Sequence, residues 1–98
     1  MIEYAPRAVR HIGTLVQHYE DLKRPEAMRA LFAALDDAER KIEINPSAGL
    51  PAPRPYPQLA RKGQAWVKAG RYWVAYLTTQ PPVIIAVFFE TADIPRRM

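Results

Sequence analysis

Two histidines, His11 and His18, stand seven residues apart in a stretch of helical periodicity. Two helical turns separate such side chains by roughly 10.5 Å along the axis, too far to chelate one ion. They read as solvated or partner-facing side chains, and no metal site is expected. Ser47, the only serine, follows Asn45-Pro46 and lacks the strand–turn–helix elbow that activates a nucleophile. Glu39 and Glu43 lie one turn apart, but an acid–base pair needs a cleft, and their helix is otherwise charged on its exposed side. Cysteine is absent, which removes thiol catalysis, disulfides and Cys-ligated zinc. The four glycines form neither a dinucleotide fingerprint nor a phosphate loop. No catalytic residue and no cofactor is expected.

What remains is basic and aromatic. Trp66, Lys68, Arg71, Tyr72, Trp73 and Tyr76 interleave along two neighbouring extended segments. Cations beside π faces are how many nucleic-acid-binding surfaces are built. A strand alternates faces, so Tyr72, Val74 and Tyr76 share one side while Arg71, Trp73 and Ala75 share the other. The charge is uneven: residues 1–49 carry eight acids and seven bases, whereas residues 50–98 carry two acids and seven bases, for +5. A basic half suggests a polyanion or an acidic protein partner.

The elements that must position these residues follow from spacing. Ile2-Glu3-Tyr4 alternates as a short strand. Pro6 opens a first helix, reaching about Tyr19 or Asp21, and Gly13 weakens it locally. Pro25 opens a second, with Met28, Leu31, Leu35, Ala38 and Ile42 as its buried stripe and Asp36–Arg40 and Asp37–Lys41 as outer ion pairs. Asn45-Pro46 ends it. Five prolines between 46 and 57 predict a stiff, extended connector. Three strands follow, Gln64–Lys68, Tyr72–Leu77 and Val83–Phe89, with turns at Gly70 and at Thr79-Gln80-Pro81-Pro82. Val83–Phe89 is apolar throughout, as in a central strand covered on both faces. The predicted order is β-α-α-β-β-β, an α+β fold with a helical hairpin packed on a small twisted, mainly antiparallel sheet. With 98 residues, 49% hydrophobic and 24% charged, the chain is expected to form one domain, 1–98. No apolar run approaches a membrane span and no secretory leader is apparent, so a cytoplasmic location with no membrane partner is expected.

The chain resembles the RelE/ParE superfamily of bacterial toxins from type II toxin–antitoxin modules. Ile2-Glu3-Tyr4-Ala5-Pro6-Arg7-Ala8 is similar to the family's strand-to-helix entry. Ala27 and Asn45-Pro46-Ser47-Ala48-Gly49 resemble its second helix and exit. Gly70-Arg71-Tyr72-Trp73-Val74-Ala75-Tyr76 resembles its G-x-Y-x-(I/V)-x-Y strand. The RelE branch cleaves mRNA on the ribosome with basic side chains, and its four basic positions fall here at Gln64, Trp66, Trp73 and near Thr91. None of those four is a cation. The ending Val87-Phe88-Phe89-Glu90-Thr91-Ala92-Asp93-Ile94-Pro95-Arg96-Arg97 is similar to that of the ParE branch, which poisons DNA gyrase. Asp93 and the arginine pair match, while Phe89 and Thr91 replace a histidine and an arginine.

The resemblance implies a ParE-like toxin that inhibits DNA gyrase or replication, limits growth and serves plasmid stabilisation. It would act by binding rather than by its own catalysis. Lys68, Arg71, Trp73, Arg96 and Arg97 are the expected target contacts, with the tryptophan exposed. A cognate antitoxin with an acidic, apolar C-terminal segment is the expected second partner, in a toxin–antitoxin hetero-oligomer. The alternatives are a ribosome-dependent mRNA endoribonuclease with a relocated site, for which Lys68 and Arg71 would matter, and a non-toxic binding member of the family.

Overall fold

A computed structural model describes residues 2–98. Strand β1 (Glu3–Tyr4) leads into helices α1 (Pro6–Asp21) and α2 (Pro25–Ile44); strands β2 (Gln64–Ala69), β3 (Tyr72–Leu77) and β4 (Val83–Phe89) follow, and a one-turn helix α3 (Ile94–Arg97) closes the chain. The sheet runs β1-β4-β3-β2. β3 pairs antiparallel with both β2 and β4, and β1 lies parallel to β4, so the architecture is α+β with an open, mixed four-stranded sheet.

Both long helices begin with proline at the first turn, where its missing N–H costs nothing. Ala5 is extended ahead of Pro6, and its N–H donates to the Ile84 carbonyl at 2.8 Å, which ties the start of α1 to the sheet. α1 ends in a two-bond cap: Arg24 N–H donates to Tyr19 O at 2.9 Å and Lys23 N–H to Glu20 O at 3.0 Å. That cap puts Lys23 at φ 54°, left-handed backbone normally taken by glycine. α2 buries Leu31, Leu35, Ala38 and Ile42 of the stripe expected from spacing, with Ala34 added and Met28 only half-buried. On its outer side Lys41 pairs with Asp37 at 2.9 Å, and Arg40 turns to Asp37 as well, at 3.5 Å, rather than to Asp36.

The sheet is covered on both faces. Tyr72, Val74, Tyr76, Ala65, Ile84 and Val87 face the helices and pack with the α2 stripe. Trp66, Trp73, Ala75, Ala86 and Phe88 face the other way, into a second core closed by Ala52, Leu59 and Ile94. The connector between α2 and β2 therefore does more than span a gap. Two short 3-10 turns, Pro46–Ala48 and Pro57–Leu59, fold it over the second face. Leu50 exchanges two backbone bonds with Trp66, 2.8 and 2.7 Å, along the outer edge of β2. Gly49 is required at the start of this wrap. A Cβ there would lie 2.8 Å from Ala65 Cβ and would collide with the Tyr76 hydroxyl, which itself donates to Pro46 O at 2.6 Å.

Among the described residues, no helix is long and apolar enough to cross a membrane.

Candidate functional site

The basic residues expected as contacts fall in two places. The first is the turn between β2 and β3. Gly70, at φ 56°, lets the chain reverse in two residues. Lys68 and Trp73 are cross-strand partners beside that turn, and Arg71 sits at its tip. Glu90, just beyond β4, collects both cations. Arg71 Nε donates to Glu90 Oε2 at 2.6 Å, Lys68 Nζ stands 3.7 Å from Oε1, and Glu90 N–H returns a bond to Arg71 O at 2.9 Å. The Arg71 hydrogen bond, with Lys68 behind it, holds the Glu90 carboxyl below its ordinary range. The Arg71 guanidinium also covers the Phe89 ring at 4.9 Å.

Trp73 is not exposed. Its indole is 3% accessible, and Lys68 and Arg54 lie over its ring at 5.4 and 5.6 Å. Trp66 is fully buried and stacks with Phe88 at 6.3 Å between centroids. The expectation of an exposed tryptophan is therefore corrected. Strand alternation put Trp73 on the face opposite the helices, and the Pro-rich connector with Ile94 then covered that face. The cations above Trp73 are the surface it presents. Arg54 belongs to this cluster, and the sequence carried no sign of it beyond charge within a proline-rich stretch.

The second place is the groove between α1, the upper part of β4 and the C-terminal turn. β1 pairs with β4 only at Val83 and Ile84, so the rest of that edge is left to α1. His11 serves it: Val87 N–H donates to His11 Nδ1 at 3.2 Å, and the imidazole lies 4.8 Å from the Phe88 ring. Burial first, then Arg7, Arg97 and Arg10, hold His11 below its ordinary pKa. The reading of His11 as a solvated or partner-facing side chain is thus corrected; it is a half-buried cap on a strand edge. His18 keeps its exposed position, with its ring 5.8 Å from Tyr19.

Arg96 and Arg97 belong to this second region. Ile94, fully buried, anchors α3. Arg96 projects with 86% of its side chain exposed and a single ion pair to Asp93 at 3.4 Å. Arg97 accepts an Arg7 Nη2 hydrogen bond on its carbonyl at 2.6 Å, and its side chain lines the groove with His11. Of the five expected contacts, Lys68 and Arg71 are brought together by Glu90, Trp73 lies beneath Lys68, and Arg96 and Arg97 stand apart from them.

Four of the five tyrosine hydroxyls are engaged in structure. Tyr4 donates to Glu39 at 2.6 Å, Tyr19 and Tyr72 share one hydrogen bond in the helix-side core, and Tyr76 serves the Pro46 carbonyl. Burial, with Glu39 added for Tyr4 and Tyr19 for Tyr72, pushes Tyr4 and Tyr72 well above the ordinary phenol range. Those phenols keep their protons at neutral pH and are poor bases. The cationic side chains of the two regions include Lys68, Arg71 and Arg54 at the first and Arg96 and Arg97 at the second. No family model matches this chain, and no curated protein matches it.

Proposed function

We propose that the chain is a RelE/ParE-like toxin of the ParE type, neutralised by a cognate antitoxin and acting on DNA gyrase or replication by binding. The motif order through the chain supports the reading, together with a helical hairpin laid on a sheet in the expected β-α-α-β-β-β order. The observation that carries binding over catalysis is the filling of the second sheet face. Three of the positions where the ribonuclease branch places cations are Gln64, Trp66 and Trp73, on that face, and here Trp66, Trp73 and Phe88 pack it as core. Phosphate cleavage needs cations and proton carriers aimed into an accessible cleft. Rim cations remain, Lys68, Arg71, Arg96 and Arg97, and these are the proposed target contacts.

The test is to induce the chain alone in bacteria and follow thymidine and methionine incorporation over the first minutes. DNA synthesis failing first is expected, followed by inhibition of purified gyrase. Replacing both Arg96 and Arg97 with alanine should remove toxicity while the folded protein persists. Protein synthesis failing first would instead favour the mRNA endoribonuclease, and continued synthesis of both would favour a non-toxic binding member.

A further inference from the structure

Arg97, one of the proposed target contacts, also lines a groove beside α1 whose other residues the toxin reading does not use. Its volume is about 380 Å³. Arg97, His18, Thr14 and Thr91 contribute polar atoms, and Leu15 and Phe88 give it an apolar wall. No carboxylate lines it among the described residues. Arg24, at one end, is already paired with Glu26 at 3.1 Å. Arg97 and its neighbours Arg7 and Arg10 enter no ion pair among the described residues, and all three raise the positive potential felt at His11. Glu90 takes Lys68 and Arg71, Asp37 takes Arg40 and Lys41, and Asp93 takes Arg96, whereas no carboxylate among the described residues turns into this groove. Unanswered positive charge at a concave site with hydroxyl donors favours a compact anion. The apolar wall favours an anion that carries a hydrophobic group.

We propose that this groove binds a phosphate monoester with a small planar apolar substituent. The phosphate would seat against Arg97 and His18, with the Thr14 or Thr91 hydroxyl as a further donor. The substituent would lie along Leu15 and Phe88. Arg7 holds the Arg97 carbonyl at 2.6 Å and so keeps the C-terminal turn against α1. This ligand site does not depend on the toxin reading, because it is measured on the isolated chain.

The experiment is a titration of the 15N-labelled full chain with phenyl phosphate, followed by amide chemical shifts at low salt. Saturable shifts confined to Val87, Thr91 and the middle of α1 are expected, with affinity reduced about tenfold or more by Arg97→Gln or by His18→Gln. Lys62→Gln removes the same charge from a position that does not line the groove, and it should leave the affinity unchanged. The spectra themselves report whether each variant is folded. Phenol binding as well as phenyl phosphate would overturn the anion, and inorganic phosphate binding as tightly would overturn the apolar wall. Absence of saturation, or an equal loss in Lys62→Gln, would overturn the site altogether.

Discussion

His11 and Val87 are joined across the molecule: a histidine ring nitrogen on the first helix accepts, at 3.2 Å, the backbone N–H of a strand that lies 76 residues further along the chain. An imidazole can accept through Nδ1 only while that nitrogen is unprotonated. Buried beside three arginines, His11 titrates below its unfolded value near 6.5. The unfolded chain therefore binds the proton more readily, and stability rises with pH through this window. The contribution is fully present above the unfolded value and is lost as pH falls through the lower folded one. Urea midpoints should fall between pH 7.5 and 5.5. In His11→Gln, whose amide oxygen can still accept, that slope should flatten; an unchanged slope would remove His11 as its source.

Gly49→Ala should be costly. The new methyl group meets Ala65 and the Tyr76 hydroxyl, and overpacking of this kind costs about 1–3 kcal/mol. Tyr76→Phe alone leaves the Pro46 carbonyl without its donor, at about 1 kcal/mol. The double variant should be less destabilised than the sum, since the hydroxyl that clashes is gone. Denaturation of the four proteins in one cycle measures that coupling.

Trp73→Ala distinguishes a core indole from a contact indole. A buried aromatic truncated to alanine loses about 3–5 kcal/mol, whereas an exposed one changes stability by about 0.5 kcal/mol or less. The larger loss is expected, visible as a large fall in the denaturation midpoint.

Glu90→Gln should free two cations at once. Lys68 and Arg71 both lean on this carboxylate, so its removal leaves the β2–β3 turn more positive. The variant should elute from heparin at higher salt than the parent chain, and Arg71→Gln at lower salt. Equal elution of all three would show that this cluster contributes nothing to polyanion attraction.

Much of the scaffold was readable because its punctuation is chemical. Pro6 and Pro25 mark both helix starts, Asn45-Pro46 stops the second, and β-branched and aromatic residues from Tyr72 to Leu77 and from Val83 to Phe89 mark β3 and β4. Alternation correctly separated Tyr72, Val74 and Tyr76 from Trp73 and Ala75. The unbroken apolar run Val83–Phe89 pointed to cover on both sides, but not to what supplies it on the second, because that cover is a connector without periodicity and a four-residue helix. His11 was unreadable for a similar reason. Its partner is a backbone group on a strand edge, exposed by the shortness of β1, and neither fact leaves a pattern near residue 11. Lys23 in left-handed backbone was equally silent, since the cap that demands it is made by main-chain atoms.

The second sheet face has a consequence for how the molecule comes apart. Its cover is a proline-rich wrap and a single helical turn, attached through two backbone bonds at Leu50 and the buried side chains of Ala52, Pro53, Leu59 and Ile94. The opposite face is clasped by two long helices. Opening the weaker cover leaves the helical hairpin and its strands in place, so amide hydrogens at Leu50 and Trp66 should exchange through a partial opening at lower free energy than those at the centre of β3. The chain is thereby divided into a permanent half and a retractable one, with both tryptophans at the seam.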